Sequence, residues 1–432
     1  MTASLPDVAP AAATANHHAH GGMVEAGGSP PGAPVKTVLQ TGGRLGFIAS
    51  AASLAAVFAA AGAPIPLYER YREGDGLSTA DLSLAAVAYF AAVMITLLVL
   101  GRLSDHLGRR MVSVAAVAMA AAGCLALLSV NSLGLLAAGR ILQGIGCGLA
   151  STALASYTVD TAPERPRWLA AATTAGAPLA GLTVGALGSG ALVQYAPAPR
   201  QLAYLLTAAL LVVCAVLLLL SPETVTRSRG VLASLRPRVA VPAQVRPLLP
   251  AATAVFVSTW ALGGFYQAFS PSVAADRLGT SNTLIAAAVF ASFMAPNAIG
   301  GPLTGRLSPP AAQRLGMAVF AVAVIGIVLS LRAGAVVPVI IGGLIAGTAQ
   351  GAAFTASMRA MLARVSPGQR TGLLATVYLI SYSGAAIPGL IAGRLSAHFT
   401  LIQIAGAYAV LAALACAVTF AVSRPATTEP DS

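Results

Sequence analysis

Charge is what this sequence has least of. Asp, Glu, Lys and Arg make up 9% of its 432 residues, where soluble proteins carry about 25%. So few charged groups cannot cover a water-facing surface of that size, which excludes a soluble globular protein and points to a membrane-embedded one. Cysteine is almost as scarce. Cys124, Cys147, Cys214 and Cys416 fall singly inside apolar stretches, without the paired spacing of a disulfide framework or a zinc site, so they read as small packing residues. Histidine offers no catalytic cluster: His17, His18 and His20 crowd an Ala- and Gly-rich stretch, while His106 and His398 stand apart. HExxH, P-loop and nucleophile-elbow motifs are missing. A membrane enzyme or receptor would need such a constellation or an attached soluble domain, so that class is the remote reading, and no cofactor or metal is expected. Aromatics are few and no basic stripe runs between them, so the net charge of +12 does not signal nucleic acid.

What the chain does have is apolar length. Twelve runs of roughly 20 residues, each enough to cross a bilayer, cover approximately 44–66, 80–101, 111–130, 133–157, 168–193, 201–220, 249–273, 282–304, 313–331, 335–360, 371–393 and 399–423. They lack the alternating period of a barrel, so helices are the spanning element. Pro178, Pro296 and Pro388 inside these runs read as kinks whose freed carbonyls neighbouring helices can satisfy. Starting the chain in the cytoplasm puts 18 of the 25 Lys and Arg on that face and 6 on the other. This positive-inside bias predicts an even number of spans with both termini cytoplasmic, and the expected location is the plasma (inner) membrane. The chain then divides into a disordered tail over 1–40, a six-helix bundle over 41–220, a Pro- and Arg-rich cytoplasmic linker over 221–248, a second bundle over 249–423 and a short tail over 424–432.

The two halves repeat a pattern. Gly101-Arg-Leu-Ser-Asp-His-Leu107 answers to Gly301-Pro-Leu-Thr-Gly-Arg-Leu307, Gln143-Gly144 to Gln350-Gly351, and the stretch with Pro178 and Gly181 to one with Pro388 and Gly393. The order is the same and the offsets are similar, so the expected fold is an all-α integral membrane protein of 12 transmembrane helices, in two six-helix pseudo-repeats around a central cavity. Spans four, seven, ten and eleven carry Arg140, Gln143, Tyr157, Trp260, Tyr266, Gln267, Gln350, Tyr378, Ser381 and Tyr382. Polar groups at membrane depth face a bundle interior or a wet cavity.

Residues 101–110, GRLSDHLGRR, resemble the loop signature G-x-L-[small]-D-[basic]-x-G-R-[basic] that the major facilitator superfamily carries between its second and third helices. Gly101, Asp105, Gly108, Arg109 and Arg110 match, with His106 where Arg or Lys is usual. Arg140-Ile-Leu-Gln143-Gly144-Ile-Gly146 is similar to the family's R-x-x-Q-G-x-G. Of the antiporter motif G-x-x-x-G-P-x-x-G-G in the fifth span, Pro178 and Gly181 are kept. The resemblance implies a secondary transporter akin to 12-helix drug/proton antiporters, with the span-four Arg taking part in proton coupling.

Specific expectations follow. Asp105 among its arginines forms a latch, made in one orientation of the halves and broken in the other; the alternative is that the arginines only fix topology. Arg140, with Gln143 and Gly144, sits in the central cavity, and snorkelling to the outer surface is the alternative. No carboxylate lies convincingly at the midplane, with Asp81 and Asp160 the closest. Trp260, Tyr266, Tyr378 and Tyr382, with Gln267 and Gln350, favour neutral or cationic amphipathic substrates. Export of small, largely apolar or cationic molecules in exchange for protons, by a monomer in the lipid bilayer, is the leading expectation. Proton-coupled uptake of a metabolite is the alternative.

Overall fold

The computed structural model describes residues 35–422 apart from 167, 227, 229 and 238. His17, His18 and His20, the tail over 424–432, and Arg167, Arg227, Arg229, Arg238 and Arg424 of the charge bias lie outside the described residues. Helix begins at Val35, inside the stretch expected to be tail.

Among the described residues, twelve helices are long and apolar enough to cross a membrane: α1 (Gly43–Asp75), α2 (Thr79–Leu100), α3 (Arg109–Ser129), α4 (Leu133–Thr161), α5 (Leu169–Tyr195), α6 (Leu202–Leu220), α7 (Ala243–Arg277), α8 (Thr283–Leu303), α9 (Pro309–Arg332), α10 (Val336–Leu362), α11 (Gly368–Leu395) and α12 (Leu401–Val422). The apolar runs mark all of them, and among the described residues there is no strand. Local chemistry sets several starts. Ser78 and Asp81 form a capping box at α2, Asn282 accepts from the amides of Leu284 and Ile285 at α8, and Ser366 with Gln369 caps α11. Each satisfies amides that a helix start leaves open. Asp81, one of the two acids nearest the midplane by sequence, is thereby a helix cap.

The pairing of helices repeats across the two halves. In the first, α1 packs on α5 and α6, α2 on α4, and α3 on α4 and α6; in the second, α7 packs on α11 and α12, α8 on α10, and α9 on α10 and α12. Equivalent glycines make equivalent approaches. A side chain at Gly144 of α4 would strike the Tyr89 carbonyl of α2 at 2.6 Å, and one at Gly351 of α10 would strike the Asn297 carbonyl of α8 at 1.9 Å. Six-helix units with the same internal packing are what a duplicated pattern produces.

Between the bundles, α2 lies on α11 and α5 on α8. An even number of spans puts the start of α1 and the end of α12 on one side, here the terminal face, and the opposite side is the far face. Toward the far face the bundles are fastened together. Thr283 donates its amide to Gln194 Oε1 (3.0 Å) and its hydroxyl to the Gly190 carbonyl (3.0 Å), and Ser83 donates to the Gly389 carbonyl (2.7 Å). Backbone contact this close needs glycine: a Cβ at Gly190 would meet that of Ala287 at 2.7 Å, and one at Gly393 would meet that of Ser83 at 2.6 Å. The other end is looser. Every buried residue of α5 lies at or beyond Gly181, so the half that starts at the terminal face is loosely packed.

Candidate functional site

Near the far end of α1 the chain reads Ala63-Pro64-Ile65-Pro66. Proline has no N–H, so Pro64 leaves the carbonyl of Ala60 without its helical donor, and Pro66 does the same to Gly62. The α-helix stops at Gly62, a 3-10 turn runs over Ile65–Leu67, and helix resumes at Tyr68. Unmatched carbonyls at this depth are costly, and neighbouring helices supply the donors. Gln143 Nε2 donates to Ala60 O (2.8 Å), Arg140 Nη1 to Ala61 O (2.8 Å) and Ser189 Oγ to Ala63 O (2.7 Å).

Arg140 also donates to Gln143 Oε1 at 2.8 Å, and its guanidinium lies 4.3 Å from the Tyr89 ring centroid. The side chain is 0% exposed, and its Nε and Nη2 have no hydrogen-bond partner. Two expectations are corrected by this geometry. Arg140 neither lines an open cavity nor snorkels to a surface; it is sealed inside the first bundle, because the broken backbone of α1 offers acceptors there. Gly144 faces α2 as a packing contact. The signal that sequence reading passed over was the proline pair, one turn beyond the carbonyls it frees.

The loop GRLSDHLGRR is tied to its own bundle. Arg109 pairs with Asp105 (2.6 Å) and Asp160 (3.2 Å) and donates to Ser104 Oγ (2.6 Å). Glu223, just past α6, accepts from the backbone amides of Arg109 (2.7 Å) and Arg110 (3.2 Å). An anion on open amides at a helix start is favourable, and Glu223 so caps α3. The approach requires Gly108, whose φ is +100° and whose place a Cβ could take only 2.5 Å from Glu223 Oε2. Arg110 donates to the Ser221 carbonyl (3.1 Å) at the end of α6. His106 shares a 2.9 Å hydrogen bond with Ser228 and accepts that residue's amide at its carbonyl (3.1 Å). The latch expected across the halves is therefore, in this orientation, a clamp joining α2, α3, α4, the end of α6 and the linker. Asp160 and Glu223 are the partners that sequence alone did not assign to it. Gly101, at the end of α2, is a packing position facing α4, where a Cβ would lie 3.6 Å from the Thr152 methyl.

Aromatic side chains meet midway along the helices. Trp260 of α7 lies 4.7 Å from Tyr382 of α11 and 6.3 Å from Phe354 of α10, ring centre to ring centre; Tyr382 is 6.4 Å from Tyr378 and 6.3 Å from Phe90 of α2. Phe90 belongs to the first bundle, so the cluster bridges the halves. Trp260, Phe354 and Tyr378 keep partial exposure. Tyr266 is elsewhere. It stacks on Phe293 at 4.9 Å with its hydroxyl unpartnered, inside the core of the second bundle, which corrects its expected place in the cavity. Gln267 and Gln350 are 5% and 7% exposed and each leaves one amide atom unpartnered, Nε2 and Oε1 respectively. In α5, Gly181 lets the helix touch α1, where a Cβ would lie 2.2 Å from the Ala55 carbonyl, while Pro178 lies in the loosely packed half.

No curated protein matches the chain. The sequence model of the Major Facilitator Superfamily matches residues 45–351, from α1 into α10. That match, the twelve spanning helices and the twice-repeated packing lead to one conclusion: the chain belongs to the major facilitator superfamily and is a multi-pass membrane protein of a transporter family.

Proposed function

We propose that this protein works by alternating access and exports small, largely apolar or cationic compounds from the cytoplasm in exchange for protons. The terminal face is cytoplasmic in this reading, the membrane is the plasma (inner) membrane, and one chain carries a complete pathway. The observation that carries the proposal is the aromatic cluster of Phe90, Trp260, Phe354, Tyr378 and Tyr382. Its rings come from both bundles, on the terminal-face side of the contacts that fasten the far end. Aromatic faces attract apolar rings and organic cations alike, and neither needs a buried acid. Proton coupling acts through α1 in this proposal, since Arg140 and Gln143 hold the backbone where that helix is broken.

Flux measured in vesicles of known orientation, with an imposed pH gradient and a panel of aromatic cations and neutral aromatics, tests it. Export is supported when compounds move against the proton flow. Movement together with protons would replace export by metabolite-type uptake, and flux indifferent to the gradient would remove protons from the mechanism.

A further inference from the structure

Among the described residues, one ion pair crosses between the bundles. Arg72, at the far end of α1, donates from Nη2 to Asp276 Oδ1 in the last turn of α7 at 2.8 Å. The other pairs, Glu69–Arg72, Asp105–Arg109, Arg109–Asp160 and Asp75–Arg200, stay within the first bundle. Arg72 is held from its own side as well: its Nε and Nη2 reach Glu69 Oε1 at 2.8 and 2.5 Å. Glu69 is the more enclosed of the two acids, with a side-chain exposure of 12% against 39% for Asp276, and its second oxygen has no partner.

We infer that Arg72 and Asp276 form the bolt of the far gate, and that Glu69 is the arm that keeps Arg72 in place when the bolt is drawn. The rest of the far seal is short-range: two hydroxyls on backbone carbonyls, a backbone amide on the Gln194 side chain, and glycines under Cβ atoms. Such contacts are lost within an ångström or two of separation, whereas opposite charges attract over several ångströms through partly exposed surroundings. The pair therefore engages before the short-range contacts in closing and lets go last in opening. Two carboxylates competing for one guanidinium make the release easy. When Asp276 departs into water, Arg72 keeps both bonds to Glu69, and no enclosed charge is left alone. The two acids also repel each other, so Glu69 favours opening while Asp276 favours closing. A ligand or a mutation shifts a two-state equilibrium only through such differences between states.

The test rests on the alternating-access reading and is chosen to fail separately from it. Ser83 is 1% exposed at the far seal, so Ser83→Cys in the full-length protein, in lipid nanodiscs, reports opening by its rate of reaction with a water-soluble maleimide. Arg72→Gln and Asp276→Asn should each raise that rate, by about 1.5- to 5-fold for a partly exposed ion pair, and Glu69→Gln should lower it. The exchange of Arg72→Asp with Asp276→Arg should bring the rate back toward the unaltered value, and Asp276→Glu should leave it nearly unchanged. Opposite signs for the two acids separate a gate from a general loss of packing, which would raise the rate in all three. Unchanged rates in Arg72→Gln and Asp276→Asn, or a rise in Glu69→Gln, would overturn the assignment. Spin labels at the exposed positions of Trp168→Cys and Leu303→Cys, at the terminal ends of α5 and α8, read the other side. Faster maleimide reaction with a shortened label distance supports both the bolt and the alternation. Faster reaction with no shortening keeps the bolt and refutes the alternation.

Discussion

The side-chain amide of Gln143 donates to the carbonyl of Ala60, four residues before Pro64, at 2.8 Å. The missing N–H of a proline in one helix is thus made good by an amide from another, 83 residues along the chain. This relationship gives the R-x-x-Q-G stretch of α4 a structural task that is independent of any substrate.

A double-mutant cycle measures it. Gln143→Leu leaves a buried carbonyl unmet, at a cost of about 1–3 kcal/mol, and should lower the unfolding temperature in detergent. Pro64 has φ −69° and ψ −22°, values an alanine in a helix tolerates, so Pro64→Ala returns an N–H to Ala60. The loss from Gln143→Leu should shrink clearly in the Pro64→Ala background. Equal losses in both backgrounds would separate Gln143 from the proline break.

Arg140→Leu removes an Arg that insertion scales charge at roughly 2.5–3.5 kcal/mol, yet it also strips donors from Ala61 O and Gln143 Oε1. Stability should therefore change little, while pH-driven flux falls sharply; Arg140→Lys should retain part of the flux. Normal pH-driven flux in a stable Arg140→Leu protein would remove Arg140 from coupling.

At the clamp on the terminal face, Gly108→Ala forces a Cβ toward Glu223 in backbone that L-residues avoid. It should cost more than Glu223→Ala, which loses only a cap worth about 1 kcal/mol. Thermal unfolding of the two variants checks the order, and a fully stable Gly108→Ala would contradict the geometry.

The aromatic cluster predicts a ligand effect without a folding effect. Trp260→Ala should raise the KM for aromatic cations by about 2- to 10-fold, the worth of one ring contact, with protein abundance retained. Tyr266→Phe, in the core of the second bundle, should leave KM where it was. A KM shift in Tyr266→Phe alone would move the binding region to the far half of α7.

The topology is tested at Leu232, which is 83% exposed in the linker. Leu232→Cys should react with an impermeant thiol reagent only after the cells are opened. Reaction in intact cells would reverse the orientation.

The number and order of the spanning helices were written in the sequence, because apolar length is a local property that a bilayer reads directly; α1 and α7 run on to Asp75 and Arg277, beyond their expected ends near 66 and 273. The repeat was legible for a related reason. Gly144 and Gly351 hold the same register in each half, and the structure puts both against a backbone carbonyl of the preceding even-numbered helix. What the motif residues touch was not legible. Arg140 and Tyr266 each read as cavity residues, since a polar group in an apolar run signals an interior without saying which interior. Only the folded chain brings Ala60 and Ala61 of α1 to Arg140 and Gln143, Glu223 to the amides of Arg109 and Arg110, and Asp276 to Arg72. Those contacts join residues far apart in sequence, and their partners are largely backbone groups, which every residue carries and no sequence pattern marks.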